Sequence, residues 1–161
     1  MKFACLTSTI ASLAIICIGA SASAQEALTD KQLASAVAAR QAHMDLNGFN
    51  LGILGAMAKT EVPYDAAVAS AAADNLVALA TGINQSAYWV EGSAAGSVEG
   101  SRALPAIWED MAAFEAVEAK FAEATLAMQP AAGESLEALQ AQMGVVGQTC
   151  NECHKTFRQS R

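Results

Sequence analysis

Two cysteines and a histidine near the end of the chain form the motif with the clearest covalent chemistry. They are Cys150, Cys153 and His154, in the pattern Cys-x-x-Cys-His. Residues three positions apart lie on one face of a helix, so both thiols can add to two vinyl groups on one side of a porphyrin. The adjacent histidine is then held beside the iron as an axial ligand. The motif therefore predicts one covalently attached haem c.

Paired cysteines have other uses in proteins. A thioredoxin-like dithiol needs a βαβ setting, and strand signals are nearly absent from this sequence. A structural zinc site needs four ligands, for which the chain offers Cys150, Cys153, His154 and His43. A helical binding module whose motif is empty or holds zinc therefore stays open as an alternative.

The first 24 residues have the features of a secretory signal peptide. Lys2 supplies a positive start, and the apolar stretch Ile10 to Gly19 is too short to span a bilayer. Ala22-Ser23-Ala24 is a small-x-small cleavage site. We therefore expect cleavage after Ala24, export to the periplasm, and one domain over residues 25–161.

The charge balance restricts the class of partner. The whole sequence has a formal net charge of −7, and removal of Lys2 with the signal peptide makes it one charge more negative. This argues against nucleic acid and anionic membrane surfaces, which need basic clusters, and permits a redox partner with a basic patch. We expect no membrane span. Because the exported chain has two histidines, one of them assigned to iron, no catalytic constellation is apparent and we expect no enzyme activity.

The elements that position the motif are predicted to be helices, since Ala, Leu, Met, Glu and Gln dominate the sequence. The predicted ranges are about 29–60 for the first helix, 65–82 for the second, 104 to just before Pro130 for the third, and 134–157 for the fourth. A Gly- and Ser-rich connection covers about 83–103. Four helices with mostly short connections predict an all-α, antiparallel up-down-up-down four-helix bundle.

Heptad spacing predicts which faces of the helices point inward. On the fourth helix two tracks repeat every seven residues, which places both cysteines on the inner face: Leu136, Met143, Cys150 and Phe157; Leu139, Val146 and Cys153. On the first helix the predicted inner face contains one arginine: Leu33, Val37, Arg40, Met44, Leu51 and Leu54.

The C-terminal motif, followed by Phe157 and Arg158 on the last helix of an exported four-helix chain, resembles the cytochrome c′ family, the class II c-type cytochromes. Further segments agree along essentially the whole exported chain: Arg40-Gln41 with Met44, residues 63–67 and residues 105–108. The run from Met44 to Lys59 looks closest to the low-spin cytochrome c-556 branch.

The resemblance implies what faces the iron opposite His154. The family places a methionine ligand or a blocking apolar residue there on the first helix, and this chain has Met44. We therefore predict a periplasmic monohaem cytochrome that transfers electrons through a low-spin, His/Met-ligated haem. The alternative is a five-coordinate, high-spin haem that binds nitric oxide or carbon monoxide, with Met44 as a distal gate. Related bundles often pair through their first two helices, so monomer and homodimer both stay open.

Three further residues lie close to these ligands. Arg40, one turn before Met44, needs a partner, which could be a haem propionate, or it extends to solvent. Arg158, one turn after His154, could contact the haem edge or stabilise the helix end. His43 lies about 100° around the helix from Met44, so both cannot face the iron, and we expect it at the surface.

Overall fold

The structure is a computed structural model that describes residues 27–160. It contains five α-helices: α1 (Asp30–Ala58), α2 (Ala66–Thr81), α3 (Ala106–Glu109), α4 (Met111–Glu134) and α5 (Leu136–Phe157). A 3-10 helix, Ser86–Tyr88, lies in the long connection between α2 and α3. The predicted signal peptide and its cleavage site fall outside the described residues.

Side-chain caps set where the long helices begin. Thr29 caps α1 through a capping box with Gln32. Asp65 accepts hydrogen bonds from two backbone N–H groups at the start of α2, and Ser135 caps α5 directly after α4 ends. The first two helices therefore begin close to where the sequence predicts.

The four long helices form the predicted antiparallel bundle, in which α1 and α4 each pack against both α2 and α5. Side-chain hydrogen bonds join the neighbours: Asn75 to Asn50, Gln129 to Asp74, and Lys120 to Glu152. The larger of two apolar clusters fills the space between the four long helices. Its members include Leu54, Met57, Leu76, Met128, Leu139 and Val146. No helix within residues 27–160 is both long and apolar enough to cross a membrane.

The predicted third helix differs from the structure at both ends. Its start is a separate short helix, α3, because the backbone leaves the helical conformation at Asp110 (φ −142°, ψ 75°). The Asp110 side chain then caps α4. The prediction that it stops before Pro130 is wrong, since α4 continues to Glu134. Buried Ala131 and Ala132 pack this last turn into the core, and Tyr64 Oη donates to the carbonyl of Ala132 at 2.9 Å.

The inner face of α1 also differs from the prediction. Val37, Arg40 and Leu54 are buried as expected, but Met44 is 41% exposed and His43 is 4% exposed. The expectation of a surface His43 is therefore wrong. The buried line is rotated by one residue and is largely polar near the first half of the helix; its members include Arg40, His43, Asn47 and Asn50. Apolar spacing alone could not identify a polar inner face.

Candidate haem site

Helix α5 turns both motif cysteines towards apolar neighbours. Cys150 is half-buried against the larger cluster, and Cys153 is half-buried against a second cluster that includes Phe114 and Phe157. Burial raises the pKa of the Cys150 thiol; burial and then the charge of Glu118 raise that of Cys153 to about 11. A reactive dithiol needs the opposite shift, so the environment argues against thioredoxin-like redox chemistry.

His154 lies one position beyond Cys153 and is also half-buried. Burial lowers the pKa of its imidazole, and the positive charges of Arg158 and Arg102 lower it further. The neutral form, which is the form that binds a metal, is therefore favoured. Within residues 27–160 no three His, Cys, Asp or Glu residues are grouped to hold a metal ion, which does not favour the zinc alternative.

Two contacts fix how α1 and α5 lie against each other. Gln140 Nε2 donates to the carbonyl of Ala58 at 2.7 Å, and a Cβ built on Gly55 would lie 3.6 Å from Met143 Cε. The two helices run antiparallel. Eleven residues, about three turns and about 16 Å, separate Gly55 from Met44 and also Met143 from His154. Met44 and His154 therefore lie at the same level, on the faces that α1 and α5 turn towards each other.

The residues around Met44 and His154 suit a haem. Gly48 on α1 and Gly147 on α5 lie on the facing sides, and a Cβ built on either would meet no heavy atom within 4 Å. At the same end, the amide of Asn47 is buried, and neither its Nδ2 nor its Oδ1 has a hydrogen-bond partner within residues 27–160. Two cysteines for attachment, a neutral histidine, a facing thioether and an unpaired buried amide together suit a large group with polar substituents.

Arg40 has different partners from those the sequence suggests. Its guanidinium is 5% exposed and donates to Ser93, Ser101 and the carbonyl of Tyr88 in the long connection. No carboxylate within the described residues forms an ion pair with it, and burial lowers its pKa. The structure therefore places the Arg40 side chain against the connection rather than in solvent.

The two other residues near the ligands have clear positions. Arg158 is exposed and caps α5, where its backbone N–H donates to the carbonyl of His154 at 3.3 Å. A haem-edge contact of Arg158 stays a prediction. His43 packs beside Tyr88, with ring centroids 6.0 Å apart, and burial lowers the pKa of its imidazole.

Two aromatic side chains near Cys153, Trp89 and Phe114, were not predicted from the sequence as part of the site. The Trp89 ring packs edge-on against Phe114, with ring centroids 4.7 Å apart. Phe114 packs edge-on against Phe157, with ring centroids 5.3 Å apart. Glu118, on α4, is half-buried next to them, and its charge acts on Cys153. Trp89 lies in an irregular segment without periodicity, so its position could not be predicted. Glu118 lies one helical turn after Phe114, and this spacing could have indicated that the two side chains share a face of α4.

Known proteins are similar to this chain along most of its length. The family model described as cytochrome C′ matches residues 35–158. A cytochrome c-554 from Cereibacter sphaeroides is 44% identical over 129 residues, which cover 80% of this chain and 96% of that protein. A cytochrome c′ from the same species is 44% identical over 125 residues, covering 78% and 83% of the two chains.

Solved structures are similar in fold as well. A cytochrome c′ from Rhodobacter sphaeroides superposes with a TM-score of 0.78 at 40% identity, covering 83% of this chain and all of that one. The nitric oxide complex of a variant cytochrome c′ from Alcaligenes xylosoxidans gives a TM-score of 0.69 at 30% identity, covering 80% and 97%. These proteins share the bundle over nearly their full length.

Proposed function

Because this chain belongs to the cytochrome c′ family, it carries one covalently attached haem c, and we propose that it is a periplasmic protein that binds nitric oxide or carbon monoxide. In this proposal Cys150 and Cys153 would attach the haem and His154 would bind its iron. The bound haem supplies an iron that changes between two redox states and can take up a diatomic gas. Met44 then acts as the gate on the side opposite His154.

The observation that carries this proposal is the register of α1 against α5. It brings Met44 to the level of His154, on the face that α1 turns towards α5. A flexible thioether in such a position can move aside for a small ligand. A variant of the relative from Alcaligenes xylosoxidans forms a nitric oxide complex, which supports the same function for this chain.

The protein environment favours the required state of His154. Burial and the charges of Arg158 and Arg102 hold the pKa of its imidazole below the ordinary value, so its nitrogen is available at neutral pH.

A second candidate is electron transfer through a six-coordinate haem. The matching level of Met44 and His154 favours it too, because a thioether that faces the iron is a suitable soft ligand. His/Met ligation raises the reduction potential. The redox partner would then carry a basic patch, given the acidic charge of this chain.

Carbon monoxide binding to the reduced protein tests the proposal. We expect the wild-type spectrum to be high-spin and to shift when the gas is added. Met44→Ala should speed the uptake of gas, because the variant removes the gate. Met128→Leu is the matched control, since it changes a fully buried methionine on a different helix, α4. A far-red Fe(III)–methionine band that vanishes in Met44→Ala, with no response of the wild type to the gas, would favour electron transfer instead.

A further inference from the structure

Arg40 gives all four of its terminal N–H groups to one irregular segment. Nη1 donates to the carbonyl of Tyr88 at 3.2 Å and to Ser93 Oγ at 2.8 Å. Nη2 donates to the carbonyl of Ser93 at 2.6 Å and to Ser101 Oγ at 2.7 Å. The guanidinium carbon also lies 5.1 Å from the ring centroid of Trp89. All four terminal N–H groups of Arg40 are therefore engaged by this segment.

The segment is folded around this guanidinium. Ser101 Oγ donates to the carbonyl of Ser93, and Ser93 Oγ donates to the carbonyl of Val90, so both hydroxyls donate and accept. Turns that contain three glycines with positive φ shape the rest of it: Gly92, Gly96 and Gly100. Backbone bonds and a second side chain of α1 also hold the segment: the N–H of Ala95 donates to the carbonyl of Ala103, and Gln41 Nε2 donates to the carbonyl of Gly100, both at 2.8 Å.

The same segment is attached on its other side to α3, α4 and α5. The Trp89 ring packs on Phe114, and Trp108 Nε1 donates to the carbonyl of Trp89 at 3.0 Å. The N–H of Leu104 donates to the carbonyl of Phe157 at 2.9 Å, at the end of α5. Residues 88–104 thus form a strap that runs from α1 across to the helix that carries the haem-binding motif.

We propose that Arg40 is a positioning residue that ties this strap to α1 and thereby sets the spacing between Met44 and His154. The inference rests on the proposed haem site. Helices α1 and α5 contact each other directly at the opposite end, through Gln140 and Ala58. At the haem end, their separation depends on the strap. Loosening Arg40 therefore opens the side of the site on which Met44 lies.

The test compares holo-protein variants in two measurements. Arg40→Met removes all four donors but keeps an apolar side chain of similar length, and Ser101→Ala removes one acceptor and serves if Arg40→Met does not fold. Tyr64→Phe is the control, because it removes a hydrogen bond at the opposite end of the bundle. The measurements are hydrogen exchange of the amides of residues 93–101 and the rate of carbon monoxide association with the reduced protein.

We expect Arg40→Met to speed both amide exchange and gas association, the latter by about tenfold, the change that accompanies a barrier lower by about 1.4 kcal/mol. Ser101→Ala should give a smaller change in the same direction. Tyr64→Phe should lower the melting temperature and leave both rates unchanged. The proposal is wrong if Arg40→Met lowers the melting temperature but changes neither rate more than Tyr64→Phe does.

Failure of the proposed gas binding gives a different result. If the wild type takes up no carbon monoxide, the far-red Fe(III)–methionine band of the oxidised protein tests the role of the strap instead. Arg40→Met should then weaken this band while Tyr64→Phe leaves it intact. An unchanged band in Arg40→Met would overturn the role of Arg40 in that case.

Discussion

Glu118 provides a pH-dependent test of the structure around Cys153. Its carboxyl group is half-buried on α4, and burial raises its pKa from 4.5 to about 7. The indole N–H of Trp89 acts in the opposite direction, and the charge of Glu115 adds to the increase. Trp89 Nε1 has no acceptor at normal hydrogen-bond geometry, so its interaction with the carboxylate is weak and burial prevails.

The raised pKa fixes the sign of the stability change. The folded protein binds this proton more tightly than the unfolded chain, so the contribution of Glu118 to stability is complete below pH 4.5 and is lost as the pH rises through about 7. The difference between the two pKa values corresponds to roughly 3 kcal/mol of unfolding free energy, at about 1.36 kcal/mol for each pKa unit. Because the carboxyl group is partly exposed, solvent screening reduces the expected cost to about 1–2 kcal/mol.

Glu118→Gln should therefore match the wild type at low pH and be more stable above neutral pH by about 1–2 kcal/mol. The measurement is urea unfolding of the holo-protein across the range from about pH 4 to pH 8. Glu123→Gln is the control, because it makes the same chemical change at an exposed position of α4. A constant difference for Glu118→Gln, or one that falls as the pH rises, would refute the reasoning.

Three other variants test separate parts of the structure. Thr60 has a positive φ of 59° after α1, so Thr60→Gly should raise the free energy of unfolding by about 0.5–1 kcal/mol in thermal melts; a loss of stability would contradict this. Phe114 is 1% exposed between two aromatic rings, and Phe114→Ala should cost about 3–5 kcal/mol in urea unfolding, whereas a cost below about 1 kcal/mol would argue against the packing described. The double variant Cys150→Ala with Cys153→Ala should lose haem staining after denaturing electrophoresis, and retained staining would disprove covalent attachment through this motif.

Most of the fold was readable from the sequence because the signals were local. Capping residues such as Thr29 and Asp65 stand directly before helical composition, and the heptads of α5 repeat without interruption. The error at Pro130 arose because proline is a helix breaker only where nothing compensates. Here buried alanines and the bond from Tyr64 hold the turn that follows it.

The candidate site was only partly readable. The cysteines and His154 form a contiguous motif, so their shared position on α5 follows from spacing alone. Arg40 and His43 belong to a buried polar face whose partners lie about 50 or more residues away in the chain, in a segment with no periodic pattern. Tertiary contacts of this kind determine whether the Arg40 side chain lies in solvent, at a haem propionate or against the strap. No local sequence signal encodes these contacts.

The spin state of the ferric iron tests the central claim most directly. Electron paramagnetic resonance of the purified, oxidised holo-protein reports whether a second strong ligand is bound opposite His154. The proposed function predicts a predominantly high-spin signal that Met44→Leu leaves unchanged. A low-spin signal that becomes high-spin in Met44→Leu would contradict the gate and identify Met44 as an iron ligand.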